Sequence, residues 1–86
     1  MAPTFQYNEL KEEILQIFAE KGWVSPRTVA FLLRYGRRSM YAHARRLWAW
    51  GLLRRRFFGR GTLTYSLSPR GARRLAWLRA GSPRNR

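Results

Sequence analysis

The side chains best equipped for chemistry in this chain are its arginines. All of its 18 basic residues except Lys11 and Lys21 are Arg, against four acids and one histidine. A guanidinium is a planar fork of donors that is always charged. It matches a phosphate, or the O6/N7 edge of guanine, with two parallel hydrogen bonds. The arginines fall in runs: Arg37, Arg38, Arg45 and Arg46 with Ser39, Tyr41 and Ala42 between them, then Arg54, Arg55 and Arg56, then Arg60 between two glycines. Arg27 precedes them, directly after a Ser-Pro pair. The chemistry on offer is recognition of a polyanion.

Other chemistries are poorly supplied. Without cysteine there is no disulfide framework, thiolate nucleophile or Cys-ligated zinc. His43 and four glutamates on one segment do not make a metal cage or an acid–base pair, so no catalytic role, metal or cofactor is expected. No apolar run approaches the roughly 18–20 residues of a membrane span, and MAPTFQYNEL lacks a secretory pattern. A cytoplasmic, nucleoid-associated protein is the expectation.

The charge is also segregated. Glu9, Glu12, Glu13 and Glu20 are the only acids, so residues 1–20 net −3 and residues 21–86 net +17. A block of one sign repels itself, and an anionic partner relieves that repulsion. Yet 45% hydrophobic content and four tryptophans supply a core, which a disordered polycation lacks. Residues 1–80 are read as one domain and 81–86 as a flexible basic tail.

Four helices and a hairpin must position these side chains. Leu10, Ile14, Ile17 and Phe18 recur at helical spacing from Asn8, the expected N-cap, to Lys21, and Gly22 ends the segment. Trp23-Val24 is a short extended link. Ser25-Pro26 starts a second helix, Ser at N-cap and Pro at N1, with Val29, Leu32 and Leu33 as its buried stripe and Phe31 pointing away. Tyr35-Gly36 breaks it. A third helix runs from Arg37 or Ser39 to Trp50, closed by Gly51. Met40, Ala44 and Leu47 face the core with His43 at their edge, and Arg38, Ala42, Arg45 and Ala49 lie opposite. Trp48 and Trp50 cannot share one core site, so one is expected on the hairpin and the other exposed or in an interface. From Leu52 the period becomes two: Leu52–Phe58 and Thr62–Leu67 form a hairpin about Gly59-Arg60-Gly61. Ser68-Pro69 starts a last helix to Ala80, with Ala72, Leu75, Ala76 and Leu78 inward. The order read is α1-β1-α2-α3-β2-β3-α4, mainly α with a small β wing.

Val29-Ala30 and Leu33, then Ser39-Met40, Leu47 and Gly51-Leu52-Leu53-Arg54-Arg55, then Leu67-Ser68-Pro69-Arg70-Gly71 resemble the winged helix-turn-helix regulators of the MarR and PadR type. The resemblance spans roughly residues 25–75. It is specific for the superfamily and weak for any one family in it. The glycine those families place in the turn falls on Arg34 here, with Gly36 two positions later, and the chain lacks their long flanking helices. No small-molecule ligand is therefore implied.

What the resemblance does imply is double-stranded DNA as partner and a role in transcription regulation. Arg37, Arg38, Ser39, Tyr41, Ala42, Arg45 and Arg46 would sit in or beside the major groove, and Arg27, Arg54, Arg56 and Arg60 on phosphates or the minor groove. Arg55 is open between DNA contact and edge protection. Phe5, Tyr7 and Trp77 are candidates for a homodimer contact through the first and last helices, the alternative being one monomer core. Two other functions fit the same composition: a sequence-nonspecific DNA- or RNA-binding protein, and a winged-helix module for protein–protein interaction.

Overall fold

Two Ser-Pro pairs start helices, as their chemistry dictates. The Ser25 hydroxyl accepts from the Thr28 amide at 3.2 Å and the Ser68 hydroxyl from the Gly71 amide at 2.9 Å, each with Pro at the first helical position. In the computed structural model, residues 7–59 and 61–80 are described, the side chains of Tyr7 and Asn8 excepted. The elements are α1 (Tyr7–Lys21), α2 (Pro26–Leu33), α3 (Arg37–Ala49), β1 (Leu53–Phe58), β2 (Thr62–Leu67) and α4 (Pro69–Arg79). The fold is α+β: four helices and a two-stranded antiparallel hairpin, compatible with a winged helix.

The extra first strand in the expected order is not present as a strand. Only Val24 pairs, in an isolated bridge to Tyr65 with reciprocal bonds of 3.0 and 2.9 Å. Gly22 on one side and Pro26 on the other leave no room for more: the first turns the chain at φ 77° and the second has no N–H to give. Helix α1 is also already helical at Tyr7, so Asn8 lies inside it and is not the cap.

The core is built from α1 outward. Leu10, Ile14, Leu15, Ile17 and Phe18 are buried there, Leu15 completely, which widens the expected stripe. Phe18 meets Tyr65 of β2 edge-on, with centroids 6.3 Å apart. Met40, Ala44 and Leu47 of α3, Val29 and Ala30 of α2, Leu52 and Leu53, and Leu75 and Leu78 of α4 complete it. Each fully buried aliphatic side chain contributes roughly 1.5–3 kcal/mol.

Three expected core positions face outward. Leu32 is 45% exposed, because α2 is seated through Pro26, Val29, Ala30 and Leu33 and no described element covers its other side. Phe31, on that side, is 80% exposed. Ala72 and Ala76 are exposed because α4 rests on the stripe Gly71–Leu75–Leu78 instead. Gly71 sets that orientation: a Cβ there would run into the Leu52 carbonyl oxygen. The same corner is bolted by Ser68, whose hydroxyl donates to the Gly51 carbonyl at 2.6 Å and whose amide donates to that of Leu52 at 3.1 Å.

The turn between α2 and α3 is made without a glycine at its left-handed position. Arg34 adopts φ 53°, ψ 44° there, and the Tyr35 amide reaches back to the Ala30 carbonyl at 2.9 Å. An L-residue in this conformation costs about 1–2 kcal/mol, which the packing of α2 on α3 offsets. At the far end of α3, Gly51 (φ 81°) closes the helix as expected, and the Leu52 amide bonds the Leu47 carbonyl at 2.9 Å. Among the described residues no helix is long and apolar enough to cross a membrane, and no group of three or more His, Cys, Asp or Glu could hold a metal ion.

Candidate nucleic-acid interface

Helix α3 is pinned by its inner face and bare on its outer one. Met40 and Ala44 are fully buried and Leu47 nearly so, while Arg37, Arg38, Ser39, Tyr41, Ala42, Arg45 and Arg46 are all exposed. Gly36 caps the helix without a side-chain hydrogen bond, and no acid lies in its first turn. The partial positive charge of the helix N-terminus is instead joined by Arg37 and Arg38, which oppose it. That arrangement lowers the helix's own stability and favours an anion at this end.

His43 fixes the flank of α3 nearest α1. Its Nε2 lies 3.3 Å from the Tyr35 hydroxyl, and its Nδ1 is 3.4 Å from the Arg46 guanidinium. A guanidinium only donates, so the network assigns Nδ1 as acceptor and puts the proton of the neutral ring on Nε2. Burial, then the neighbouring Arg46 charge, hold the His43 pKa below its usual 6.5. His43 is thus a packed, hydrogen-bonded histidine, and Arg46 is turned toward it, on the flank of the face that carries Arg38, Ala42 and Arg45.

The hairpin arginines divide by the period of two. The register pairs Leu53 with Leu67, Arg55 with Tyr65 and Phe57 with Leu63 on one side, and Arg54 with Ser66, Arg56 with Thr64 and Phe58 with Thr62 on the other. On the inner side Arg55 lies over the Trp48 ring of α3, 3.6 Å from its centroid. On the outer side Arg56 sits 4.4 Å from the Trp23 centroid and 4.3 Å from that of Phe58, Arg54 lies 5.6 Å from Trp23, and Trp23 meets Phe58 edge-on at 6.3 Å. A guanidinium stacked by its face keeps its donor edge for an anion. The Thr64 hydroxyl ties the ladder to β1 by donating to the Arg56 carbonyl at 2.9 Å.

Arg27 is exposed in the first turn of α2. Arg60, Phe5 and residues 81–86 lie outside the described residues, as does the Tyr7 side chain. Trp77 is 47% exposed on α4. Trp48 packs against the core beneath the hairpin and Trp50 is 43% exposed, the division that their angular separation on α3 requires. The structure therefore groups Arg37, Arg38, Tyr41, Ala42 and Arg45 on α3 and Arg54 with Arg56 on the hairpin's outer face, and sends Arg55 to the opposite side.

Sequence reasoning missed the aromatic partners of the hairpin arginines. Strict alternation puts Arg54, Arg56 and Phe58 on one face, a signal available in RRRFF. Nothing local brings Trp23 to them, because that contact depends on the Val24–Tyr65 bridge, far apart in sequence.

The fold is shared with solved proteins. The structure of RV1404 from Mycobacterium tuberculosis matches with a TM-score of 0.70 and 22% identity, over 90% of this chain and 54% of that one. A probable transcriptional regulator from Pseudomonas aeruginosa matches with a TM-score of 0.65 and 22% identity, over 87% of this chain and 67% of that one. What they have in common with this chain is the fold. This chain spans about half the length of RV1404 and two thirds of the second protein. No protein-family model and no curated protein matches the sequence.

Proposed function

We propose that this chain is a winged helix-turn-helix DNA-binding protein, akin to the MarR and PadR regulators, that acts in transcription. The single observation that carries the reading is the two-faced α3: one side buried through Met40, Ala44 and Leu47, the other a bare surface of Arg38, Tyr41, Ala42 and Arg45 in a stretch of 66 residues without an acid. The likeness to a probable transcriptional regulator supports the same direction. In this reading α3 enters the major groove by its Arg38–Ala42–Arg45 face, its small Ala42 permitting close approach while Arg38 and Arg45 reach base edges. Arg54 and Arg56 hold the adjacent backbone or minor groove, joined by Arg60, which stands between Gly59 and Gly61 in the sequence, and by Arg27 at the start of α2. The partner is double-stranded DNA, and the protein works at the nucleoid.

Selection of bound sequences from a random duplex pool, followed by salt titration, tests this. Affinity falls with a log–log slope of about −0.9 per neutralised phosphate. Arg45→Ala weakens binding roughly tenfold or more and blunts sequence preference, whereas Arg60→Ala lowers affinity about equally for all sequences. A pool that enriches no sequence while binding duplex and structured RNA alike would make the protein a nonspecific binder. Absence of any complex at about 50 mM salt, where phosphate contacts are strong, would leave it a protein-interaction module.

A further inference from the structure

Behind the α3 surface, at the other end of that helix, lies a second concentration of cations and aromatics. Helix α4 carries Arg70, Arg73, Arg74 and Trp77 at the i, i+3, i+4, i+7 spacing that makes one stripe, about 10 Å long. Gly51 brings the end of α3 against it: its missing side chain leaves Arg70 Cδ 3.5 Å from where a Cβ would be. The result is a groove of about 480 Å³ lined by Lys11, Trp50, Arg70 and Arg74, continued by one of about 250 Å³ along Arg70, Arg73, Arg74 and Trp77.

Each tryptophan is held by a cation and half open to solvent. Lys11 Nζ lies 5.0 Å from the Trp50 centroid and the Arg74 guanidinium 5.6 Å from that of Trp77. The rings are 43% and 47% exposed. Lys11 is nearly buried, and its pKa is held below the usual 10.5 first by that burial and then by the Arg74 charge, so like charges are crowded at the groove floor. Trp50, at the mouth of the groove, lies about 7 Å along α3 past Arg45 and about 140° around the helix from it, so the groove opens on a different face from the residues assigned to the duplex.

A cationic channel with open aromatic faces suits an anionic polymer whose bases are free to stack. A duplex offers phosphates but keeps its bases stacked on each other; a single strand offers both phosphate and π-face. We propose that the groove formed by α4, the end of α3 and Lys11 is a binding site for single-stranded nucleic acid, with Arg70, Arg73 and Arg74 on the phosphates and Trp77 and Trp50 as stacking surfaces. The site is distinct from the proposed duplex surface on α3 and stands or falls separately from it.

The test uses the full chain with labelled oligo(dT) of about 20 nucleotides and a duplex of similar length, read by fluorescence anisotropy and tryptophan quenching. Arg70→Gln with Arg74→Gln weakens oligo(dT) binding about tenfold and leaves duplex affinity within about twofold. Trp77→Ala removes most of the quenching and weakens oligo(dT) about fivefold, and Trp77→Phe restores most of that loss. Trp77 is a surface residue, so these variants keep the core. Four results overturn the proposal: no oligo(dT) binding, loss of oligo(dT) binding in Arg45→Ala but not in the α4 variants, displacement of oligo(dT) by polyglutamate of equal charge, or a Trp77→Ala effect confined to self-association in sedimentation. The last would give Trp77 to a homodimer contact, the third the groove to acidic peptides.

Discussion

Helix α3 and the hairpin carry the same side chain in opposite states. On the outer face of α3, Arg38 and Arg45 are exposed with no aromatic partner among the described residues. On the hairpin, Arg54, Arg55 and Arg56 all lie over aromatic rings, Arg55 at 3.6 Å from Trp48 and Arg56 between Trp23 and Phe58. Ordering a free arginine on binding costs up to about 2 kcal/mol of rotamer entropy. A stacked one has lost much of that freedom beforehand. Free guanidiniums adapt to different base edges; fixed ones present one geometry to a backbone that is the same everywhere. In the duplex complex proposed above, this contrast suits α3 to reading and the hairpin to holding, while Arg55, stacked on Trp48 of α3, is the strut between them.

The sharpest way to break this contrast is to remove the ring that fixes the holding arginines. Trp23→Ala deletes one edge-on aromatic pair and two cation–ring contacts, a loss of about 2 kcal/mol of stability. Duplex affinity falls about three- to tenfold, equally for preferred and random sequences, and Trp23→Phe recovers most of it. Denaturant melts and anisotropy on both duplexes measure this. A loss of sequence preference, rather than of affinity, would mean that the hairpin reads bases.

Arg55→Ala produces a smaller and different effect. Its guanidinium lies on Trp48, on the side of the sheet away from Trp23, so it braces the hairpin against α3. Stability falls by about 0.5–1 kcal/mol, while duplex affinity changes less than about twofold. If instead binding drops as steeply as for Arg54→Ala or Arg56→Ala, the inward side of the hairpin is part of the contact surface and the division by strand period fails.

How much of this is legible in the sequence follows from how local each cause is. The Ser-Pro starts, the Gly51 stop and the face of α3 each depend on residues within one or two turns, and each appears where the sequence put it. Leu67-Ser68-Pro69-Arg70-Gly71 was readable as a motif but not as a mechanism. Its glycine is required because the Leu52 carbonyl, from a distant turn, occupies the space of a side chain. On α4 Leu75 and Leu78 face inward as read, but Ala72 and Ala76 were misplaced for the same reason: alanines are neutral about burial, and Gly71, which decides the orientation, has no side chain to declare it. Leu32 was placed in the buried stripe and is exposed, because an eight-residue helix has too few turns to average out which side its neighbours cover, whereas Phe31 points away from the core as its spacing implies. On the site, single-strand alternation could split Arg55 from Arg54 and Arg56, yet Trp23 reaches them only through a bridge that no local pattern announces.

The smallest expected effect separates the two regions by pH. His43 ties the turn at Tyr35 to α3, and its hydrogen bonds among the described residues do not reach the hairpin: its ring faces the Tyr35 hydroxyl, the Arg46 guanidinium, and a small cleft that includes Lys11. Its folded pKa lies below 6.5, so between that value and 6.5 the unfolded chain binds more protons than the folded one. The stability this histidine contributes is therefore complete above 6.5 and is lost as pH falls through the lowered folded value. Protonation would place a hydrogen on Nδ1 against the Arg46 donor, and the partly solvated setting keeps the effect small. Thermal melts of the wild type decline slightly from pH 8 to pH 5.5, and His43→Gln flattens that decline. Amide exchange locates it: protection at Tyr35 and in the first turns of α3 weakens with acid, while the β1–β2 amides hold. Equal loss in both regions would mean that the turn and the hairpin open as one unit, and that α3 is not positioned independently of the strands beside it.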